Sequence, residues 1–515
     1  MLTNNTAPFQ SILFARSEDR RTTTTEPPFF RDLNLDQIVN AITAGRGHYD
    51  IKPFFYASLH DADAIEYRQQ IFKDLEDSAL LCSLRAFSKS MVEMREHLGW
   101  ANRFHYRLQR QRWFLDAAAI YCDLIINLTN QLSRFTLESK GLLSVREYLS
   151  GYIESDHFLH LLQQTHKLNG DLAAIQYCIR IKGGGFSVRK LASERNYSAE
   201  IEATFSKFQQ GSVKDYRAQF TESAQMNHIE AKVLEFVARL HPEIFSSLNQ
   251  YCVENTDFVE GTIAEFDREI QFYLAYLDHI QKFRCRGLEF CYPTVSDRPS
   301  ELHGAEVFDL ALADKLFRAD GSVVPNDFRL EGAERVIVVS GPNQGGKTTF
   351  ARAFGQAHYL ASLGLLVPGK EARLLLFDRL FTHFEREEQS KNFRGKLQDD
   401  LLRVREILIG ATSNSLLIIN EIFTSTTLRD ALFLGAHIMK KIVDRGSLCV
   451  WVTFVDELAL FGEQVVSVVA TVDPNNPSLR TFKIVRSRAD GLSYAMSIAE
   501  KYGLTYRRLQ ERIRQ

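Results

Sequence analysis

Residues 335–355, RVIVVSGPNQGGKTTFARAFG, set a short apolar run against a glycine-rich loop and then a helix-forming stretch. The run RVIVVS reads as a buried strand, and Gly341 to Thr348 spells G-x-x-x-x-G-K-T between that strand and the helix. The chemistry explains the residue types. In the loop Gly341, Pro342, Asn343, Gln344, Gly345, Gly346, the glycines let consecutive backbone N–H groups curl around phosphate oxygens. The helix that follows, opening with Lys347, Thr348 and Thr349, points its positive end at the same anion. Lys347 is expected to reach the β- and γ-phosphates of a nucleoside triphosphate, and the Thr348 hydroxyl to ligate Mg²⁺. A chance glycine turn is the plain alternative, and it leaves the strand-loop-helix context unexplained.

Outward from this loop, SLLIIN (415–420) and SLCVWVTF (447–454) are further apolar runs separated by helical patterns. Buried runs alternating with helices predict a mostly parallel sheet covered on both faces. The run ending at Asn420-Glu421 puts a carboxylate at a strand tip beside the phosphate loop, where Glu421 is the candidate to orient and deprotonate an attacking water. A solvated acidic strand end is the competing reading. Asn420 stands where an Asp commonly helps hold Mg²⁺, and it offers only a neutral carbonyl.

Before Cys285 the texture is different. One proline and no glycine occur between Gly47 and Gly99, and Ala101 to Lys140 has neither, as uninterrupted helices require. A similar stretch from Ser212 to Glu260 is broken only by Pro242, and Ile263, Phe266, Ile270, Leu274, Leu277 and Ile280 form one apolar helical stripe. YCIRIKGGGFSVRKL, around Gly183 to Gly185, reads as a short hairpin or sharp loop. The fold class is therefore multidomain: a tail over residues 1–28, expected to be disordered around RSEDRRTTTTEPP, an all-α region over 29–285, and an α/β phosphate-loop domain over 286–515.

Composition bounds the rest. A chain of 515 residues suggests two to four domains, and 45% hydrophobic with 24% charged residues excludes a broadly disordered or collagen-like protein. The net charge of -2 requires any nucleic-acid site to be a local basic patch. Seven scattered cysteines with no C-x-x-C spacing argue against a disulfide framework or zinc knuckle and fit a reducing cytoplasm. The start MLTNNTAPFQ has no export-signal pattern, and the most apolar helix, Leu115 to Leu128, is interrupted by Asp116 and Asp123, so no membrane span is expected.

GPNQGGKTT resembles the phosphate loop of the MutS family of DNA mismatch-repair ATPases, ABC-type enzymes whose loop typically reads GPNxGGKST. The similarity continues through FDRLFTHFERE (377–387), NEIFTSTTLRDA (420–431), VTFVDEL (452–458) and ADGLSYAMSIAEKYGL (489–504), the last resembling the family's closing helix-turn-helix. It extends more thinly to Ile65, Arg68 and Gln69, where a similar I-x-x-RQ opens the family's core segment. The resemblance implies that residues 29–285 are a reduced core, lever and clamp region, an ordinary helical bundle being the other reading. It also implies a nucleotide site shared across a homodimer, or a heterodimer with a MutS-like paralogue.

Several positions depart from the family. Its mismatch-reading domain, with an F-x-E wedge, and its connector have no counterpart here. Phe220-Thr-Glu222 and Phe258-Val-Glu260 match the letters but fall in helical stretches, so direct mispair reading is not expected. The sequence reaches Gln515 directly after the closing helices, with no room for the nuclease-like module of some paralogues. Phe454 replaces a histidine near the γ-phosphate and cannot donate that hydrogen bond. The signature segment KNFRGKLQDDL (391–401) lacks the serine presented across the dimer, leaving Asn392 and Arg394 as trans-contact candidates. In GSVVPNDF, which resembles the purine-contacting loop, Asn326 matches and Val323 occupies the slot of a stacking aromatic, which relaxes base selectivity.

For DNA, NRFHYRLQRQRWF (102–114) offers Arg103, Arg107, Arg110 and Arg112 among aromatics, although the helical spacing favours a core stripe with a solvated arginine face, and RRLQERIR (507–514) reads as a dimer or surface helix. The expectation is an ATP- and Mg²⁺-binding, DNA-engaging clamp with slow hydrolysis. Its rivals are an ATP-switched protein scaffold with little DNA affinity and an unrelated P-loop kinase or transferase, which the GPN, TSTTLRD and VDEL segments fit poorly.

Overall fold

The computed structural model describes residues 9, 11–16, 20, 23–191, 226–297, 301–385, 395–476, 479–488, 504–506 and 510. The N-terminal region is helical. After α1 (Leu35–Ile42) and α2 (Ala62–Asp74) come the long helices α3 (Ser78–Arg103) and α4 (Arg107–Leu132), then α5 (Lys140–Ile153) and α6 (Asp156–Ala173). The chain then enters a hairpin, β1 (Tyr177–Lys182) and β2 (Gly185–Lys190), where the three glycines predicted a turn. Three more helices follow: α7 (His228–Leu240), α8 (Pro242–Glu254) and α9 (Gly261–Arg284).

Local chemistry sets these boundaries. Asp77 caps α3 by accepting from the N–H groups of Ala79 and Leu80 at 2.8 and 3.3 Å. Asn227 and Glu230 form a reciprocal capping box on α7. Pro242 begins α8 at the first helical position, where its missing N–H is harmless. Every residue of the predicted α9 stripe is buried.

Beyond α9 the chain alternates strands and helices: β3 (Phe290–Cys291), β4 (Thr294–Ser296), β5 (Glu301–Val307), α10 (Leu310–Phe317), β6 (Asn326–Glu331), β7 (Val336–Ser340) and α11 (Lys347–Ser362). Next are β8 (Val367–Pro368), β9 (Glu371–Leu375), β10 (Leu380–His383), α12 (Lys396–Gly410), β11 (Leu416–Asn420), α13 (Leu428–Arg445), β12 (Leu448–Val452), β13 (Val465–Val472) and β14 (Arg480–Arg486). The main sheet has the order β10-β11-β12-β7-β13-β14, parallel throughout except for the final β13–β14 pair. All five residues of β7, β11 and β12 are buried, which is why these strands read as unbroken apolar runs. A smaller four-stranded sheet has the order β4-β9-β5-β6.

The chain divides into two compact units, each drawn from separated stretches of sequence. One unit comprises Met1–Phe9, Leu75–Leu137 and Leu142–Asp267; the other comprises Gln10–Asp74, Glu138–Gly141 and Arg268–Gln515. The change of texture at Cys285 marks the end of α9 but not a unit boundary, which falls within that helix. Residues 11–14, placed in the expected disordered tail, are buried instead. Ser11 Oγ and the Ile12 N–H donate to the Glu269 carboxylate at 2.6 and 2.7 Å, while Tyr273 Oη donates to Ile12 O at 2.6 Å and Arg68 Nε to Leu13 O at 2.9 Å. The apolar triplet Ile12-Leu13-Phe14 supplies enough burial to order the segment ahead of the polar run. All seven cysteines are free, and no described helix is long and apolar enough to cross a membrane.

Candidate functional site

Because β7, β11 and β12 run parallel, their C-terminal ends lie on one edge of the sheet, the place where open α/β sheets receive ligands. The loop Gly341–Gly346 leaves β7 there and enters α11. Gly341 at φ 109° and Gly346 at φ 95° occupy backbone conformations that a side chain would strain, and a Cβ on Gly341 would lie 2.9 Å from Ala470 O on β13. Thus backbone conformation calls for glycine at both positions, and packing calls for it at Gly341 as well.

Lys347 is almost wholly buried, with its Nζ 2.8 Å from Gly341 O, 3.4 Å from Pro342 O and 3.3 Å from Asn343 Oδ1. Burial pushes its ammonium down from the usual lysine range, opposed by the carboxylates of Glu421 and Asp456. Glu421 Oε1 is 3.9 Å from Lys347 Nζ. The Thr348 hydroxyl donates to Asn420 Oδ1 at 2.9 Å, joining α11 to the tip of β11. Glu421 itself is left-handed at φ 51°, fixed by its N–H donating to Val452 O at 2.9 Å.

A cavity of about 550 Å³ adjoins this cluster. Asn343, Gln344, Gly346, Lys347, Thr348, Thr349 and Glu421 line one end, while Leu312, Leu316, Val323 and Val324 form an apolar wall at the other. Asn326 also lines it, but its amide is engaged with Phe482 and Ile484. The expected residues Lys347, Thr348, Asn420 and Glu421 therefore converge, as do Val323 and Asn326. Asn392 and Arg394 lie outside the described residues, as do Phe220–Glu222 and most of the closing helical segment. Phe454 is in the turn after β12 and is 45% exposed.

Two features escaped the sequence reading. Asp400 on α12 accepts from the Phe423 N–H at 3.4 Å and lies 3.2 Å from Nε2 of His383, bracing the backbone just after Glu421. Burial works against the Asp400 carboxylate, but hydrogen bonding and charge from His383 hold it below the usual range. Phe482, from β14, is the second; it lines the cavity although nothing in RTFKIVR marks it.

At residues 102–114 the aromatics are buried or half-buried, while Arg103, Arg107, Arg110 and Arg112 are all exposed. Phe104 is buried and stacks on Trp100, and Trp113 packs against it. Arg112 pairs with Asp116 at 2.7 Å and donates to Asn169 at 2.9 Å; Arg107 reaches Asn249 at 3.4 Å, and the Arg103 guanidinium lies over Trp100. Arg110 is exposed. Phe258 is buried against Phe114 and Tyr121, and Glu260 caps α9 through the Ile263 N–H, so this F-x-E is structural.

Strand order and loop define a mostly parallel α/β domain with an anion-receptive turn at the carboxyl ends of its strands. Residues 337–512 match the family described as MutS domain V, so this stretch of the chain is similar to that domain. The Endonuclease MutS2 of Gemmatimonas aurantiaca is 31% identical over 214 residues, 41% of this chain and 26% of the relative. The DNA mismatch repair protein MutS of Shouchella clausii is 29% identical over 189 residues, covering 36% and 22%. That of Thermotoga maritima is 25% identical over 289 residues, covering 54% and 35%. The chain thus spans between about a fifth and a third of the length of these relatives.

Proposed function

We propose that this protein is an ATP-binding, MutS-like clamp that engages DNA in repair, recombination or surveillance of DNA structure without itself reading mismatches. The observation that carries the reading is the convergence of Lys347, Thr348 and Glu421 on one cavity at the sheet's carboxyl edge, with Asn420 hydrogen-bonded to Thr348 beside it. Lys347 would exchange its carbonyl partners for the phosphates, and the left-handed loop would present its N–H groups to the same oxygens. Glu421 would take the proton of the attacking water.

The Thr348 hydroxyl and Asn420 carbonyl form an all-oxygen pair 2.9 Å apart, a donor set that fits Mg²⁺ when phosphates supply the remaining ligands. Bound there, the ion would neutralise phosphate charge. Among the described residues no cluster of three or more His, Cys, Asp or Glu side chains could hold a metal without the nucleotide. The neutral Asn420 and the non-donating Phe454 favour slow turnover.

A second copy of the chain, or a paralogue, would complete the site. Helix α13 packs against the 3-10 turn Asp456–Leu460, and these elements expose Leu428, Phe433, Leu460 and the adjoining Phe461. For DNA, the hairpin β1–β2 offers a better surface than residues 102–114. It carries Arg180, Lys182, Arg189 and Lys190, all exposed, with no carboxylate in either strand.

The test is ATP hydrolysis by the full chain with duplex, branched and single-stranded DNA, alongside binding at several salt concentrations. The clamp reading expects slow basal hydrolysis that at least one DNA shape stimulates, abolished in Glu421→Gln, and binding that weakens steeply with salt. Nucleotide binding with no DNA affinity at low salt would replace the clamp by a nucleotide-switched protein scaffold.

A further inference from the structure

The hydrogen-bonded register between β13 and β14 jumps from Ala470↔Ile484 to Val472↔Arg480, so Thr471 alone stands opposite Thr481, Phe482 and Lys483. This is a bulge, and bulges re-aim side chains. Thr481 Oγ1 donates to Thr471 O at 2.9 Å, and Phe482, at the centre of the bulge, is left-handed at φ 59°. The strand meets the glycine-rich loop at two points. The Phe482 backbone lies beside Gly346, and half-buried Arg480 donates from Nε to Asn343 O at 3.3 Å.

Asn343 belongs to the end of the cavity that holds the candidate base. Lys347 Nζ is 3.3 Å from Asn343 Oδ1 and 3.9 Å from Glu421 Oε1, so one ammonium spans the two. If Glu421 acts on the attacking water, the terminal phosphate lies at this end, and Arg480 is a second cation beside it. The charges there are closely matched. Burial pushes the Lys347 ammonium down, the Glu421 and Asp456 carboxylates oppose it, and Arg480 adds to the push. Without Arg480, one cation would face two carboxylates, and an incoming phosphate chain would meet a net negative charge.

We propose that Arg480 is a phosphate-binding residue supplied in cis, exchanging the Asn343 carbonyl for an oxygen of the terminal phosphate, so that the site discriminates a nucleoside triphosphate from a diphosphate. This rests on the nucleotide-binding reading above and adds to it a residue and a specificity. The exchange is the one asked of Lys347, which also holds loop carbonyls in the free protein. A guanidinium suits it, because its planar fork matches phosphate oxygens. The discrimination follows from position. The start of α11 and the Gly346 end of the loop serve the phosphates that ATP and ADP share, whereas Asn343 stands at the Glu421 end, which only a triphosphate fills. The plain alternative is a strut: Arg480 fastens β14 to the loop and acts on every nucleotide alike.

The test is direct titration of the full chain, with Mg²⁺, by ribose-labelled fluorescent ADP and by a non-hydrolysable β,γ-imido ATP analogue carrying the same label. Parental protein, Arg480→Gln and Arg480→Lys are compared. The parent should bind the triphosphate analogue about tenfold more tightly than ADP. Arg480→Gln should weaken the analogue by about tenfold and ADP by less than about twofold, so that the preference disappears. Arg480→Lys, which keeps a point charge, should restore most of it. An analogue affinity unchanged in Arg480→Gln overturns the proposal, and so does an equal loss for both nucleotides, which is the signature of a strut. If parental protein binds neither nucleotide, the nucleotide-binding reading falls and the role of Arg480 falls with it; parental binding of both with equal affinity removes the role of Arg480 alone.

Discussion

At the proposed phosphate site, one atom of Asn420 sets what Thr348 meets. The Thr348 hydroxyl donates to the Asn420 carbonyl, so this strand tip contributes a dipole where a carboxylate would contribute a full charge. Asn420→Asp is therefore expected to lower the Mg²⁺ concentration needed for half-maximal nucleotide binding by about tenfold, since a charge a few ångströms from a divalent ion is worth more than 1 kcal/mol even at high effective dielectric. Titration of nucleotide binding with Mg²⁺ measures this, and an unchanged midpoint would remove Asn420 from the metal's surroundings. Glu421 was recognisable at the end of a buried run. Its brace from Asp400 was not, because those residues are 21 positions apart and meet only through α12.

Helix α11 does more than follow the glycine-rich loop. Gln356, wholly buried on that helix, donates to Leu33 O at 2.9 Å and to Asp309 Oδ1 at 2.8 Å, and accepts from the Leu310 N–H at 2.8 Å. One amide thus ties α11 to the segment before α1 and to the start of α10, whose Leu312 and Leu316 form the cavity wall. Gln356→Ala leaves buried polar groups without partners, and a loss of about 3 kcal/mol in unfolding free energy is expected, read from the shift in denaturant midpoint. A loss below about 0.5 kcal/mol would show that water replaces the amide. Strands β7, β11 and β12 were legible because burial on both faces favours apolar residues along their length, Ser340 and Asn420 at the strand ends excepted. The hairpin β1–β2 was legible from its glycines, but its exposed cations acquire meaning only once the strands are seen to be solvated.

Across the molecule, two deeply buried histidines govern behaviour in acid. Burial pushes His279 down to about 3, with Lys282 adding to the effect and Asp314 opposing it; burial pushes His358 down to about 4, opposed by its hydrogen bond to Phe354 O. Both stay neutral in the fold but protonate near 6.5 when unfolded. The unfolded chain then binds more protons, so their contribution is fully present above 6.5 and is lost progressively as pH falls towards 4, on the order of 3 kcal/mol each. Melting temperature should fall over that window, and His358→Leu should flatten the fall. A parallel decline in parent and variant would place the acid sensitivity elsewhere.

The buried runs, the helical stripe and the glycine loop follow from local chemistry, because periodicity and backbone freedom act over a few residues and are written in consecutive letters. The grouping of residues 11–74 with the α/β domain, the brace behind Glu421 and the arrival of Phe482 beside Gly346 depend on strand order and on a bulge. They join residues more than a hundred positions apart in two of these three cases, and neighbouring letters carry no record of which distant backbone will accept their hydrogen bonds.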